Sequence, residues 1–65
     1  MKKYSPMKRL KIKRIEADLT QSELAKKVGI TKNALSSYET GFRFPRKCIL
    51  DKLAEALDCK IEELI

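Results

Sequence analysis

Few residues in this 65-residue chain are of the types that carry catalytic or metal chemistry. There is no histidine, so the commonest general base and the commonest metal ligand are both missing. Cys48 and Cys59 are separated by ten residues, which gives neither a zinc-binding set nor a CxxC redox motif. Both cysteines are therefore expected to be small core residues. With only two glycines and no phosphate-binding loop, the chain is not expected to be an enzyme or to hold a metal or cofactor.

Positively charged residues are abundant in the chain, and they are unevenly distributed along it. Residues 1–47 contain 13 Lys or Arg against four Asp or Glu, whereas residues 48–65 contain two against five. The net charges of these two parts are therefore +9 and −3. A basic face with an acidic end is expected of a protein that meets phosphates on one side. A solvated surface with a basic tail would give the same counts, so charge alone leaves both interpretations open.

Length and hydropathy limit the chain to one small domain. A domain of this size buries only about 60% of the surface that its unfolded chain exposes. No apolar stretch approaches the roughly 18–20 residues of a membrane-spanning helix, and no signal-peptide core follows the basic start. We expect a cytoplasmic protein without membrane contact, consisting of a flexible basic arm at residues 1–5 and a folded domain at residues 6–65.

The first predicted helix begins at Ser5, whose side chain can cap it, with Pro6 at the first helical position. It runs to about Ala17. Met7, Leu10, Arg14 and Ala17 fall on one face of this helix, at spacings of three, four and three. Arg14 is therefore a charged residue on a stripe that otherwise faces the core.

The central part of the sequence predicts two short helices in close succession. Thr20 and Glu23 form a capping box that begins the first of them, and Gly29 ends it. Thr31 caps the next helix only two residues later, and Gly41 ends that one. Two helices joined through a single glycine lie close together and cross steeply, which is the geometry of a helix-turn-helix unit.

Two further helical segments follow a loop. An exposed loop is predicted over residues 42–45, because Pro45 disfavours a helical conformation at Phe44. A fourth helix is predicted over residues 46–57, and a last short one over residues 60–64. Asp58 tolerates the left-handed conformation that ends a helix, whereas the Lys60 side chain cannot cap the helix that follows.

Several runs within this pattern resemble a known family. They are LTQSELA at residues 19–25, YETG at residues 38–41, and Pro45 in the following loop. Residues 21–40 also carry five apolar residues, a small residue and a glycine in the family's order: Leu24, Val28, Ile30, Leu35, Tyr38, Ala25 and Gly29. The chain is thereby similar, from about Met7 to Leu64, to the phage repressor and Cro-like regulators, also called the XRE type. The resemblance implies an all-α, lambda-repressor-like DNA-binding domain of four to five helices with a central helix-turn-helix.

The resemblance also implies how such a protein binds double-stranded DNA. The third helix, at about residues 32–39, would lie in the major groove, where Lys32 can donate to guanine, Asn33 can pair with adenine, and Ala34 can contact a thymine methyl. The full set implied for base contact is Lys32, Asn33, Ser37, Thr31, Ala34 and Ser36. The set implied for contact with the DNA backbone is Gln21, Ser22, Arg14, Lys8, Arg9, Thr40, Arg43 and Arg46.

In the family, an arginine at the place of Arg14 pairs with a glutamate at the place of Glu39. The resemblance therefore implies a structural salt bridge between these two residues. The family also implies a homodimer on a palindromic operator, with half-sites about one helical turn, ~34 Å, apart. The apolar, acidic carboxyl end should form the dimer interface, through Leu57, Ile61, Leu64 and Ile65.

The simplest expected function is repression of transcription by occupying the operator, because no small-molecule effector site is evident in the sequence. The alternative is a small antitoxin-like or controller protein whose main role is to bind a partner protein. Binding of RNA or of any nucleic acid through charge alone is a further alternative.

Overall fold

The structure is a computed structural model that describes residues 4–65, and four α-helices account for most of them. The elements in chain order are α1 (Lys8–Glu16), α2 (Gln21–Val28), α3 (Lys32–Thr40), α4 (Lys47–Ala56) and one 3₁₀ turn (Ile61–Glu63). Residues 4–65 contain no strand, so the expected all-α class is confirmed. The last predicted helix is a single 3₁₀ turn. Residues 1–3 of the predicted arm lie outside the described part of the chain.

All four α-helices end through the same backbone turn. Asp18, Gly29, Gly41 and Asp58 each adopt a positive φ, of 59°, 78°, 90° and 52°. In each case the next backbone N–H donates to the carbonyl five residues earlier, at 2.9–3.1 Å. This left-handed turn satisfies carbonyls that the end of a helix would leave unpaired. Asp58 behaves as its sequence predicts. The end of α1 near Ala17 was also predicted, but the left-handed conformation of Asp18 was not.

The beginning of α1 differs from the prediction. Ser5 does not cap the helix, which starts at Lys8 with Met7 in the capping position and without a side-chain cap bond. The backbone N–H of Tyr4 instead donates to the carbonyl of Gly41 at 2.8 Å. The ring of Tyr4 packs against that of Phe44, with 5.8 Å between the ring centroids. Tyr4 and Ser5 thus pack on the end of α3, and are not part of a free arm.

Each α-helix supplies one fully buried leucine to a common core, and a fifth directly follows the 3₁₀ turn. These residues are Leu10, Leu24, Leu35, Leu53 and Leu64, all with 0% exposure. The packing joins α3 to α2 and to α1, and joins α4 to α2 and to the 3₁₀ turn. Ala17, which was predicted on the inner stripe of α1, lies after the helix end and is exposed.

The carboxyl end is fixed by polar contacts around Glu63. The backbone N–H of Lys60 donates to Glu63 Oε2 at 2.7 Å, while the Lys60 side chain makes no cap bond, as its chemistry requires. Lys13 Nζ of α1 lies 3.5 Å from Glu63 Oε1. The backbone hydrogen bond from Lys60 is the main cause that lowers the pKa of Glu63, and Lys13 adds to it.

Replacement of the two glycines by alanine should have unequal effects on stability. Both have positive φ, so a side chain is strained by about 1–2 kcal/mol at either position. A Cβ on Gly29 would meet no atom within 4 Å, whereas a Cβ on Gly41 would fall on the carbonyl oxygen of Tyr4. We expect Gly41→Ala to reduce the free energy of unfolding by at least about 1 kcal/mol more than Gly29→Ala. Urea unfolding followed by circular dichroism measures both, and equal losses would contradict the packing of Tyr4 on Gly41.

Candidate nucleic-acid interface

The amino-terminal turn of α3 carries the residues predicted to read bases. The Thr31 hydroxyl accepts from the backbone N–H of Ala34 at 3.0 Å, which fixes where the helix begins. Thr31, Lys32 and Asn33 are exposed. Their side chains therefore have free donors and acceptors at the accessible end of the helix.

The other three residues of the predicted base-reading set are half-buried. Ser36 and Ser37 follow on α3, and Ala34 packs partly against the hydrophobic core. Ala34 can therefore offer only part of its methyl group to a ligand. The exposed surface of α3 is concentrated in its first turn.

The amino terminus of α2 is held by the predicted capping box. The Thr20 hydroxyl accepts from the backbone N–H of Glu23 at 3.1 Å, and Glu23 Oε1 accepts from the backbone N–H of Thr20 at 2.9 Å. The hydrogen bond from the Thr20 backbone is the main cause that lowers the pKa of Glu23. The carboxylate therefore supports the helix above the pKa of the unfolded chain, and this support is lost as the pH falls through the folded pKa.

A shallow groove brings the beginnings of α2 and α3 together. It is lined by Arg14, Thr20, Gln21, Ser22 and Lys32. The beginning of a helix attracts anions, because its first N–H groups lack helical partners and the helix dipole is positive there. The groove therefore places an anion-attracting helix end beside the first exposed cation of α3.

The ion pair expected from the family resemblance is present. Arg14 Nε lies 2.8 Å from Glu39 Oε2, and Arg14 Nη2 lies 3.4 Å from Glu39 Oε1. Arg14 Nη1 donates to the carbonyl of Leu19 at 2.8 Å. The side chains of Arg14 and Glu39 are only 11% and 3% exposed. These contacts fasten the last turn of α3 to α1.

Gln21 also bonds to Glu39, which the sequence analysis did not anticipate. Its Nε2 donates to Glu39 Oε1 at 3.0 Å. The two residues are 18 positions apart and belong to different helices, so no local pattern indicates the contact. Glu39 is thus the common acceptor for side chains from α1 and α2.

Three of the residues predicted to contact the DNA backbone are engaged within the protein. The guanidinium of Arg14 is committed to Glu39 and Leu19, and little of it is exposed. Arg9 Nη1 lies 3.4 Å from the carbonyl of Ile65, at the carboxyl end of the chain. The Thr40 hydroxyl donates to the carbonyl of Ser36 at 2.9 Å, and a phosphate oxygen would need that same proton.

The remaining predicted backbone contacts lie in different places. Lys8 lines a hollow with Tyr4 and Ile65, away from the groove at α2. Arg43 and Arg46 line another hollow between the loop and α4. Of these remaining residues, Gln21 and Ser22 line the groove beside Lys32, where the buried Arg14 also lies.

One member of the predicted dimer interface is a core residue of the single chain. Leu64 has 0% exposure, because it belongs to the hydrophobic core, and it leaves no surface for a partner. Leu57 and Ile61 are half-buried, and Ile65 is 55% exposed. The periodicity of the carboxyl end could not distinguish a leucine that faces the core from one that faces outward.

No cluster of residues suited to hold a metal ion occurs within residues 4–65. Over the same range, no helix combines the length and the hydropathy needed to cross a membrane.

Removal of Glu39 should destabilise the protein more than removal of an exposed partner of an ion pair. Glu39→Ala leaves Arg14 buried without its counter-charge, so we expect a loss of about 3–5 kcal/mol in the free energy of unfolding. Replacement of both residues by methionine should recover much of this loss, because no unpaired charge then remains buried. Urea unfolding of the variants measures the effect.

Lys13→Ala is the matched control, because it breaks the more exposed pair with Glu63 and should cost less than about 1 kcal/mol. A loss for Glu39→Ala as small as that of this control would contradict a structural role for the buried pair.

Comparison with known proteins agrees with this geometry. A family model described as helix-turn-helix matches residues 10–64. The chain is 38% identical over 52 residues to the cryptic phage CTXphi transcriptional repressor RstR of Vibrio cholerae. That match covers 80% of this chain and 47% of the repressor, so the chain spans about half the length of this relative.

Two solved structures share the fold. The restriction-modification controller protein C.AhdI from Aeromonas hydrophila has a TM-score of 0.84 and 33% identity, over 89% of this chain and 88% of that one. A chain in a complex of the SinR and SinI proteins has a TM-score of 0.82 and 36% identity, over 89% of this chain and 57% of that one. The chain therefore belongs to the helix-turn-helix family of phage repressor and Cro-like regulators, the XRE type.

Proposed function

We propose that this protein binds double-stranded DNA with α3 in the major groove, and represses transcription by occupying an operator. The observation that carries the proposal is the groove in which the amino terminus of α2 lies beside Lys32. An α-helix fits the major groove, where each base pair presents a distinct set of donors and acceptors. Lys32 and Asn33, both exposed, have the chemistry for that contact. The printed names of two relatives, a transcriptional repressor and a controller protein, support the same function.

The proposed contacts divide into those that read bases and those that hold the DNA backbone. Thr31, Lys32 and Asn33 read bases from the first turn of α3, with the half-buried Ala34, Ser36 and Ser37 beside them. Gln21 and Ser22 at the start of α2 bind a phosphate, and Lys8, Arg43 and Arg46 add positive charge. Arg14 does not contact DNA but supports α3 through its ion pair with Glu39. Arg9 and Thr40 contact DNA only if they release their hydrogen bonds to backbone carbonyls of the protein.

We further propose that the protein acts as a homodimer on a palindromic operator, in the cytoplasm. The apolar surface at the carboxyl end, formed by Leu57, Ile61 and Ile65, is the proposed interface. It lies in the part of the chain with negative net charge, where two copies avoid apposing their basic faces. Ile65 lines an open hollow with the apolar rings of Tyr4 and Phe44, and Lys8 and Arg9 lie at the same hollow.

A second candidate function is the binding of a partner protein. Ile12 and Ile15 on α1 are 53% and 54% exposed, an apolar surface that neither the core nor the proposed dimer uses. One structural relative was solved in a complex of two proteins. A partner that co-purifies with the wild type, and is lost on Ile15→Glu, would favour this function.

Base reading by α3 is tested by selecting duplexes from a random pool with the wild type. We expect one preferred sequence, and Lys32→Ala or Asn33→Ala should relax the preference at one base position by about 1–3 kcal/mol. Dissociation constants for the selected duplex and its single-base variants give this value.

Lys26→Ala is the matched control, because Lys26 is exposed in the last turn of α2, at the end opposite the groove. It should leave the preference unchanged. Equal binding of all duplexes by the wild type at moderate salt would contradict sequence-specific recognition and would favour binding through charge alone.

The dimer interface is tested by Ile65→Glu, which places a charge in the proposed apolar contact. We expect the sedimenting species to change from dimer to monomer, with weaker binding of the selected duplex. Ile12→Glu is the control, since Ile12 is similarly exposed but lies on α1. A wild type that remains a monomer on the selected duplex would contradict the homodimer, and dissociation by Ile12→Glu alone would move the interface to α1.

A further inference from the structure

The hydrogen bond between Gln21 and Glu39 joins the two ends of the proposed interface. Gln21 is the first residue of α2 and lines the groove with Ser22 and Lys32. Glu39 is in the last turn of α3 and is buried. We propose that Gln21 is a positioning residue that sets the base preference of α3 through Glu39, in addition to any contact with phosphate. This inference rests on the proposed function, because it concerns the DNA that α3 reads.

The chemistry of the two groups fixes how the amide is oriented. A carboxylate only accepts hydrogen bonds, so the Gln21 nitrogen must face Glu39, as the 3.0 Å distance shows. One N–H of that nitrogen is thereby used. A phosphate also only accepts, so the second N–H of the same nitrogen is the side-chain donor left for it. A phosphate bound at Gln21 would therefore be coupled through a single nitrogen atom to the end of α3.

The reading helix is short enough for this coupling to reach its first turn. Lys32 and Glu39 are the first and the eighth residues of α3, so about 10 Å of helix separates them. A helix of this length behaves as a rigid rod within the fold, and a tilt at Glu39 moves the side chains of Lys32 and Asn33. Base contacts depend on bidentate geometry, which small displacements weaken.

Gln21 can be removed without breaking the ion pair that supports the fold. Arg14 Nε and Nη2 reach both carboxylate oxygens of Glu39 independently of Gln21. The loss of the amide thus leaves Glu39 with its counter-charge. This separates the role of Gln21 in orientation from the role of Arg14 in stability.

The experiment compares two duplexes with the variant Gln21→Met, which keeps the length of the side chain and removes its polar atoms. One duplex is the sequence that the wild type enriches from a random pool, and the other is a shuffled sequence of the same length and composition. The ratio of the two dissociation constants measures base preference. We expect Gln21→Met to reduce this ratio about ten-fold, the equivalent of one hydrogen bond to a charged acceptor.

Ser22→Ala is the matched control. Ser22 is exposed in the same turn of α2 and lines the same groove, but its side chain does not bond to Glu39 within the described structure. This variant should weaken both duplexes to a similar extent and leave the ratio unchanged. If Gln21→Met behaves in the same way, Gln21 serves only as a phosphate contact and the proposal is overturned.

A second variant and a DNA-free measurement guard against misfolding. Circular dichroism of Gln21→Met should show the wild-type helix content, and Gln21→Ala is used if it does not. Without DNA, amide exchange in residues 36–40 should become faster in the variant than in Ser22→Ala. Unchanged exchange together with an unchanged ratio would overturn the proposal, whereas a wild type that enriches no duplex would overturn the proposed function itself.

Discussion

The buried carboxylate of Glu39 is the point on which the arrangement of the first three helices depends. It belongs to α3, accepts from Arg14 of α1, and accepts from Gln21 of α2. A buried carboxylate is stabilised only when its oxygens are hydrogen-bonded and its charge is paired. Both conditions are met here by side chains from α1 and α2, so the contacts constrain how the three helices are placed. The polar contact therefore selects one arrangement among the several that an apolar core would tolerate.

The hydrophobic core and the polar network contribute differently to the domain. The buried apolar residues of the core, among them the five fully buried leucines, supply a driving force that is proportional to area and has no direction. A helix of nine residues such as α3 is too short to be stable alone in water, so it depends on this packing to exist. The core explains why α3 is helical. The ion pair between Arg14 and Glu39 and the hydrogen bond from Gln21 explain the orientation of α3.

The features that could be predicted from the sequence are mostly local ones. The capping box at Thr20 and the left-handed turn at Gly29 involve atoms within five residues of one another, so their patterns stand in the sequence. The pairing of Arg14 with Glu39 spans 25 residues and was accessible only through the family resemblance. The burial of Leu64 and the contact of Tyr4 with Gly41 depend on packing between distant segments. No periodicity or capping rule contains that information, which is why Ser5 and Pro6 were misread as the start of α1.

The same distant packing changes how the charge of the sequence is to be interpreted. The basic amino-terminal part has a net charge of +9, yet some of its cations are neutralised within the fold. Lys13 pairs with Glu63, and Arg9 reaches the carbonyl of Ile65, so the acidic carboxyl end lies against α1. Arg14 is occupied by Glu39. Less positive potential is therefore left on α1 than the sequence suggests, although Lys8 and Lys11 remain exposed there. The first turn of α3 contributes the exposed cation Lys32. In the proposed complex, Lys32 brings positive charge to the helix that reads bases, and this charge attracts the DNA backbone to the side of the domain that can recognise bases.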